Sequence, residues 1–364
     1  MIVFYILLAI IVLMLMVLIH ELGHYIVGKK LGFKITEFSI GFGKVIWQKT
    51  NEKGEKISLR ILPLGGYCAF YGEEGLEDEK GQVKKDDPDF FTNKHPFKRI
   101  LVFFGGVAFN FISAIIFSFI LLVSFGYGNV YVITDINTQF QEIYQESSSG
   151  LALVEANDKI LKIDGKDISY IWGNTIDNMT EMVEGNTYIL TIQKNETNEI
   201  MEIEVFVQTL SQFDEEENPV DVTAIGITLG ISSQPVSFID ALAQCFSFTI
   251  GLIWLVLKTL WLLITFQLPL SALGGTLTVI STVATTVQQS FSALFIYLPL
   301  IAANLAIFNL LPFPALDGSH ILFTSVEWIR RKPINRNVEA VIHFVGFVIL
   351  IAFVILIDLI HFLS

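Results

Sequence analysis

The residues with the clearest chemical potential are His20, Glu21 and His24, which form a His-Glu-x-x-His pentad. Positions i and i+4 share one face of an α-helix, so His20 and His24 can direct ring nitrogens at one zinc ion. Glu21 then lies where a base for the attacking water is needed. The alternative is a coincidental match at the polar end of an anchor helix. The pentad therefore predicts a zinc site with a catalytic glutamate.

The pentad follows an uncharged apolar stretch, residues 1–19. Three further apolar stretches, residues 100–125, 295–311 and 338–363, are each near the roughly 20 residues that cross a hydrocarbon core. The hydrophobic fraction of 52% excludes an ordinary soluble globule. We expect a polytopic α-helical membrane protein with about four transmembrane helices. The first helix is not expected to be a cleaved signal peptide, because no basic segment precedes it.

The formal net charge of −13 is unevenly distributed. Residues 129–235 contain 19 acidic and four basic residues, a local net charge of −15 that leaves +2 elsewhere. The positive-inside rule predicts that the basic helix ends are cytoplasmic and that the acidic segment lies outside. The sequence has no continuous basic surface segment that could bind the phosphates of a nucleic acid, so nucleic acid is not expected as a partner. The basic residues at helix ends are Lys29, Lys30, Lys98, Arg99, Arg330, Arg331, Lys332 and Arg336.

Four segments follow from these patterns. Residues 1–127 form a first catalytic membrane half and residues 291–364 a second. Residues 128–210 form a small extracytoplasmic α/β domain, and residues 211–290 an extracytoplasmic or interfacial linker with amphipathic helices. Within that linker the apolar residues 238–266 are expected to lie on the outer face, because a fifth crossing would reverse the orientation of the later helices.

A small membrane-associated β-sheet is predicted between the first two helices. Residues 34–40, 44–49 and 56–62 have strand-like composition. Gly41 and Gly43 interrupt the first strand, which predicts a bulge or a close backbone approach. After the sheet, residues 73–89 are charged and low in apolar content, which predicts a mobile loop.

The small domain resembles a bacterial PDZ domain. Gly150-Leu151 and the run from Asn157 to Gly165 match its "GL…GD.I…I.G" pattern, with Asn157 in place of the usual glycine. Another kind of small α/β insert is the alternative. PDZ domains bind extended peptides by β-augmentation, so the analogy implies peptide binding or steric gating. The predicted strands are residues 130–136, 159–163, 187–193 and 200–207, and the predicted helix is residues 174–183.

A second polar cluster lies in the apolar segment of residues 304–318. An aspartate there has no water to solvate it, so Asp317 must pair or bind a metal. It would complete a two-histidine, one-carboxylate zinc site with an open fourth position. Pro312 and Pro314 break the helix and can direct Asp317 toward the first helix. Capping of the next helix is the alternative role, and the two histidines favour the ligand role.

Together these motifs resemble the site-2 protease family of intramembrane zinc metalloproteases, in the branch of the bacterial regulator-of-sigma-E proteases. The resemblance covers almost the whole chain: the pentad, a glycine-bearing loop, one PDZ-like domain and the run Asn309-Leu-Leu-Pro-Phe-Pro-Ala-Leu-Asp-Gly318. It implies Zn²⁺ on His20, His24 and Asp317, with Glu21 as base. Some members carry two PDZ domains, so a two-domain filter is in doubt here.

The resemblance also implies substrate-binding residues. Asn309 and Asn304 would orient substrate or polarise the scissile carbonyl, and Asn110 is a polar position of the family's second helix. The alternative for each asparagine is a hydrogen bond between helices. The remaining implied residues belong to a membrane-re-entrant sheet that pairs with unwound substrate: Ile40, Gly41, Phe42 and Gly43.

The predicted function is hydrolysis of single-span membrane proteins, after a prior extracytoplasmic cut, by a multi-pass protein of the cell membrane. Anti-sigma factors and signal-peptide remnants are the expected substrates, and the site lies toward the cytoplasm. One rival is a membrane metalloprotease with Glu327 or Glu339 as third ligand, and His320 is the one spare ligand. The other is a PDZ-bearing receptor or scaffold with structural zinc, which Glu21 disfavours because such a site needs no base.

Overall fold

The computed structural model describes residues 2–73, 87–127, 130–136, 153–167, 185–213, 219–233, 235–269 and 274–363. The chain divides into two compact units. One contains residues 1–120 and 245–364, and the other contains residues 121–244. Three predicted features lie outside the described residues: the helix at residues 174–183, the Gly150-Leu151 pair and most of the charged loop at 73–89. The PDZ assignment therefore stays a prediction.

Seven α-helices occur among the described residues, and five are long and apolar enough to cross a membrane. The protein is therefore a polytopic helical membrane protein. We expected about four such helices. The fifth is α3, residues Phe238–Ile264, which we predicted to lie on the outer face. Its length and composition allow a crossing, so the surface location stays a prediction. The helices are α1 Ile2–Lys30, α2 Pro96–Ser124, α3 Phe238–Ile264, α4 Thr276–Gln289, α5 Ala293–Leu310, α6 Asp317–Arg330 and α7 Arg336–Leu363; all but α4 and α6 are candidate spans.

Two contacts hold helices of this unit together, one between α1 and α2 and one between α4 and α7. A Cβ on Gly23 of α1 would overlap the carbonyl of Gly105 on α2, so the two backbones touch where only glycine fits. The short helix α4 is fixed by Asp358, a buried carboxylate of α7. Asp358 accepts hydrogen bonds from the backbone N–H of Leu277 and Thr278, at 3.1 and 3.0 Å. An acidic side chain thus caps a helix start inside the apolar bundle.

The sheet beside α1 consists of two long bent strands, β1 Ile35–Thr50 and β2 Lys56–Phe70. Each strand pairs twice, because Ile40 is opposite both Gly66 and Leu59, and Leu59 is also opposite Trp47. Across the sheet the order is therefore residues 45–50, 56–60, 37–40 and 66–70. The two glycines that interrupt β1 have φ angles of 84° where the strand bends, as their spacing predicted.

The second unit contains the four strands predicted for the small domain. Its sheet has the order β10-β3-β4-β6-β7, with β5 paired to β4, and β8 and β9 form a separate hairpin. The bounds are β3 Val130–Ile136, β4 Lys159–Ile163, β5 Lys166–Asp167, β6 Thr187–Gln193, β7 Ile200–Phe206, β8 Gln208–Phe213, β9 Pro219–Ala224 and β10 Ile227–Ser232.

The Asn-Asp pair of the PDZ-like run forms a tight turn in this unit. Asn157 has a φ of 72°, a conformation that asparagine tolerates and glycine usually provides. The buried Asp158 carboxylate accepts hydrogen bonds from the Lys194 ammonium and from the backbone N–H of Asn195 and Glu155. Burial opposes ionisation of Asp158, but these donors outweigh it and hold its pKa below the usual value.

Candidate metal centre

Three polar atoms from distant parts of the chain converge beside α1. The Nε2 atoms of His20 and His24 are 3.1 Å apart. The Oδ2 atom of Asp317 lies 2.9 Å from Nε2 of His20 and 3.3 Å from Nε2 of His24. All three side chains are largely shielded from solvent. The structure thus brings together the three residues that the sequence predicted as ligands.

The geometry of these three atoms fits a zinc ion. Nitrogen and oxygen ligands about 2.0–2.2 Å from a tetrahedral zinc are about 3.3–3.5 Å from one another. Apart from these two ring nitrogens, the buried Oδ2 atom of Asp317 has no hydrogen-bond partner among the described residues. The Nδ1–H of His24 donates to the carbonyl of Val102 at 2.9 Å, which leaves Nε2 with a free lone pair. The donor set therefore suits zinc.

The approach of Asp317 depends on the chain reversal between α5 and α6. A Cβ on Gly318 would overlap the carbonyls of Leu310 and Leu311, so only glycine permits this crossing. Helix α6 begins at Asp317, its N-cap residue is Leu316, and that residue makes no side-chain cap hydrogen bond. Asp317 is thus the first residue of α6 rather than its N-cap, and its Oδ2 atom faces the histidines.

Glu21 lies at the margin of the three converging atoms. A carboxylate oxygen of Glu21 and one ring nitrogen of each histidine lie within 4.8 Å of one another. The backbone of Cys68 is within hydrogen-bonding reach of this carboxylate. A Cβ on Gly66 would be 3.8 Å from Cγ of Glu21, so the outer strand of the first sheet borders it. Glu21 is placed to act on a molecule held between the ligands and this strand.

Helix α2 forms the floor of the centre, a contribution that the sequence analysis did not identify. A Cβ on Gly106 would lie 2.5 Å from Nε2 of His24 and 2.7 Å from Cε1 of His20. Only glycine lets α2 lie this close to both rings. The adjacent pair Gly105-Gly106 in an apolar helix was the available signal, because small residues in membrane helices mark close packing.

The predicted substrate-binding residues lie at different distances from the centre. Nδ2 of Asn309 is 3.5 Å from Nδ1 of His20, whereas Asn304, five residues earlier on α5, is rotated about 140° around the helix. Ile40 lies in an interior strand with neighbours on both sides. The outer strand near Glu21 is residues 66–70. Ile40 therefore offers no free edge, whereas Phe42 pairs only with Leu62 among the described residues, and a substrate-binding role for residues 40–43 stays a prediction.

The rival ligands lie elsewhere. His320 stacks between the rings of Phe103 and His343, with centroids 4.9 and 4.0 Å away. Oxygens of the buried Glu327 are 2.6 Å from Nη2 of Arg99 and 3.0 Å from Nη2 of Arg336. Burial opposes ionisation of Glu327, but its hydrogen bonds and the two guanidinium groups outweigh this and keep its pKa low.

Glu339 pairs with Arg336 at 2.7 Å and groups with His320 and His343 rather than with the converging atoms. None of the three rival residues therefore has the position that Asp317 occupies.

Comparison with known proteins agrees with this geometry. The chain is 30% identical to a Clostridium perfringens protein named as a zinc metalloprotease, covering 98% of this chain and 97% of that relative. It is 29% identical to a Campylobacter jejuni protein with the same description, over 94% and 89% of the two chains. Zinc metalloprotease RasP of Oceanobacillus iheyensis is 26% identical over 94% of this chain and 95% of its own length. The family model for peptidase family M50 matches residues 8–353, and the chain belongs to that family of zinc metalloproteases.

Proposed function

We propose that this metalloprotease cleaves peptide bonds within the membrane, with zinc held by His20, His24 and Asp317 and with Glu21 as the base. One observation carries the proposal. Oδ2 of Asp317 lies 2.9 and 3.3 Å from the two histidine Nε2 atoms, although about 295 residues separate it from them along the chain. A buried carboxylate beside two imidazoles, with no other hydrogen-bond partner for that oxygen among the described residues, is what a three-residue zinc ligand set requires.

Each protein group then has a defined task. Zinc, when bound, supplies Lewis acidity that polarises a carbonyl and acidifies water. Glu21 accepts the proton of the attacking water and afterwards delivers it to the leaving amine. The low dielectric of the apolar surroundings strengthens both interactions.

We infer that the substrate is bound as an added strand on residues 66–69. Among the described residues this outer strand has one neighbour in the sheet, residues 37–40, and its other edge is on the side of Glu21. A helical substrate conceals its carbonyls in its own hydrogen bonds and must unwind before hydrolysis. The outer strand offers replacement partners for the freed backbone groups. Asn309 is then close enough to the centre to contact the substrate. Ile40 supports the outer strand from within the sheet, and Gly41, Phe42 and Gly43 remain proposed substrate contacts.

The proposed substrates are single-span membrane proteins already cut outside the membrane, in regulated intramembrane proteolysis. Anti-sigma factors and signal-peptide remnants fit this class by resemblance to the regulator-of-sigma-E branch. The proposed topology places the centre toward the cytoplasmic side of the cell membrane. The acidic residues 128–210 are then a PDZ-like domain on the opposite side, because the basic residues flank the helices instead.

The test is cleavage of a single-span substrate by Glu21→Gln protein reconstituted in liposomes. Glutamine cannot accept the proton, so cleavage should fall at least 10³-fold while about one zinc per chain stays bound. The exposed Glu52→Gln is the matched control and should cleave at the wild-type rate. Wild-type cleavage by the Glu21→Gln protein, with its zinc content confirmed, would refute the proposed base.

A further inference from the structure

Asn110 of α2 contacts the predicted ligand His20, and the donor and acceptor of this contact must be assigned from its chemistry. Its side chain is fully buried, and its Nδ2 atom lies 3.1 Å from Nδ1 of His20. Its Oδ1 atom is also buried and has no hydrogen-bond partner in the described part of the chain. A buried, unpaired amide oxygen is destabilising, so an acceptor left unused in this position calls for a donor.

The donor available to Asn110 is the Nδ1–H group of His20. An imidazole that binds a metal through Nε2 carries its proton on Nδ1, and that N–H needs an acceptor. His24 already has one, the carbonyl of Val102. His20 faces the amide nitrogen of Asn110, which is a donor and cannot accept a proton. Because the two ends of an amide have nearly the same shape, rotating it by 180° brings Oδ1 to within reach of Nδ1.

We propose that Asn110 is a positioning residue that accepts the Nδ1–H of His20 and thereby presents Nε2 to zinc. The proposal rests on the ligand set of the proposed function. Helix α2 then supports both histidines from one face. Val102, Gly106 and Asn110 follow at intervals of four residues, which places the acceptor for His24, the space for both rings and the acceptor for His20 in one line.

Asn110 is better suited to this role than Asn309, the other amide near His20. Asn309 is only half-buried and lies 3.5 Å from the same nitrogen, at the limit of a hydrogen bond. Water and substrate can therefore reach Asn309, which fits a substrate contact. The buried Asn110 can contact only the protein, which fits a group that holds a ligand in one orientation.

The test compares zinc affinity, by competition with a chelator at pH 7, in two variants of Asn110. Asn110→Leu has similar volume and no acceptor, and its zinc affinity should fall 10- to 100-fold. Asn110→Asp restores an acceptor and should bind zinc within about threefold of wild type. The control is Ser118→Ala, which removes a buried hydrogen bond between α2 and Thr249 of α3 without touching the centre. It should keep wild-type affinity.

The outcomes separate a positioning role from simple packing. Loss of affinity in Asn110→Leu with recovery in Asn110→Asp supports the proposal. Equal affinity in all Asn110 variants, or equal loss in the leucine and aspartate variants, overturns it. If Asn110→Leu does not fold, Asn110→Ala takes its place under the same criteria. A His20→Ala variant with unchanged zinc affinity would refute the ligand set itself, which is a different result from a failure at Asn110.

Discussion

At the scale of single residues, the sequence predicts all three proposed zinc ligands, but by different arguments. His20 and His24 follow from helix periodicity, and Asp317 follows from the cost of a carboxylate in an apolar segment. The contacts that α2 makes with these ligands cannot be predicted in the same way, because they depend on where α1 and α2 cross. Val102 contributes only its carbonyl, and Gly106 contributes only the space that a Cβ would fill. The sequence has no signal for the Val102 carbonyl, and the Gly105-Gly106 pair indicates close packing without identifying the rings that Gly106 meets.

Gly318 provides a residue-scale prediction. A methyl group at this position would overlap two carbonyls at the end of α5, so Gly318→Ala must displace the start of α6 and Asp317 with it. We expect a loss of about 1–3 kcal/mol in unfolding free energy together with weaker zinc binding. Thermal unfolding in detergent and zinc analysis measure the two effects. Ser325→Ala on the same helix is the control and should change neither. Wild-type zinc affinity in Gly318→Ala protein would show that the crossing does not position the ligand.

At the scale of elements, composition predicted the strands but not their order in the sheet. Both strands of the first sheet bend and pair twice, which places residues 37–40 inside and residues 66–70 at the outer edge. A sequence pattern marks which residues can form a strand, whereas the neighbours of a strand depend on bends such as those at Gly41 and Gly43. The strand edge nearest Glu21 therefore could not be predicted from the sequence and is known only from the structure.

Cys68 tests the outer strand. Proline there removes a backbone donor, whereas alanine keeps it. Cys68→Pro should therefore lower substrate cleavage and substrate crosslinking together, with zinc content intact, and Cys68→Ala should behave as wild type. Crosslinking to a single-span substrate in liposomes is the measurement. Wild-type crosslinking in the proline variant would mean that the substrate is held at another surface.

The cap on α4 is a second element-scale feature. Asp358→Leu would leave three donors without a partner, namely the N–H groups of Leu277 and Thr278 and the hydroxyl of Thr278. We expect a loss of about 1–3 kcal/mol in unfolding free energy, measured by thermal unfolding in detergent. Asn also caps helices, so Asp358→Asn should lose much less. Equal stability of the leucine variant and the wild type would contradict the capping role.

At the scale of the whole molecule, the proposed chemistry is confined to one of the two compact units. The proposed ligands and base lie within residues 20–24 and at residue 317, outside the proposed PDZ-like domain of residues 128–210. The family match extends over nearly the whole chain and accounts for a zinc metalloprotease with several apolar helices. Substrate choice is the property that the small acidic domain can add, by bulk and by like charge.

Deletion of residues 128–210 with a short Gly/Ser linker tests that role. The deleted protein should keep its zinc and its cleavage of trimmed substrate. It should also cleave untrimmed, full-length substrate, which the intact protein should reject. Cleavage of the two substrate forms in liposomes measures the selectivity. If the deleted protein keeps its zinc and still discriminates between the two forms, selectivity resides in the membrane helices or in α3.

The central claim is that Asp317 completes the zinc site and that Glu21 does not. Zinc bound per chain in the presence of a competing chelator tests it most directly, in the wild type, Asp317→Asn and Glu21→Gln. The account predicts about one zinc per chain in the wild type and in Glu21→Gln, and a strong loss in Asp317→Asn because a charged ligand is removed. Undiminished zinc in Asp317→Asn, or loss of zinc in Glu21→Gln alone, would contradict it.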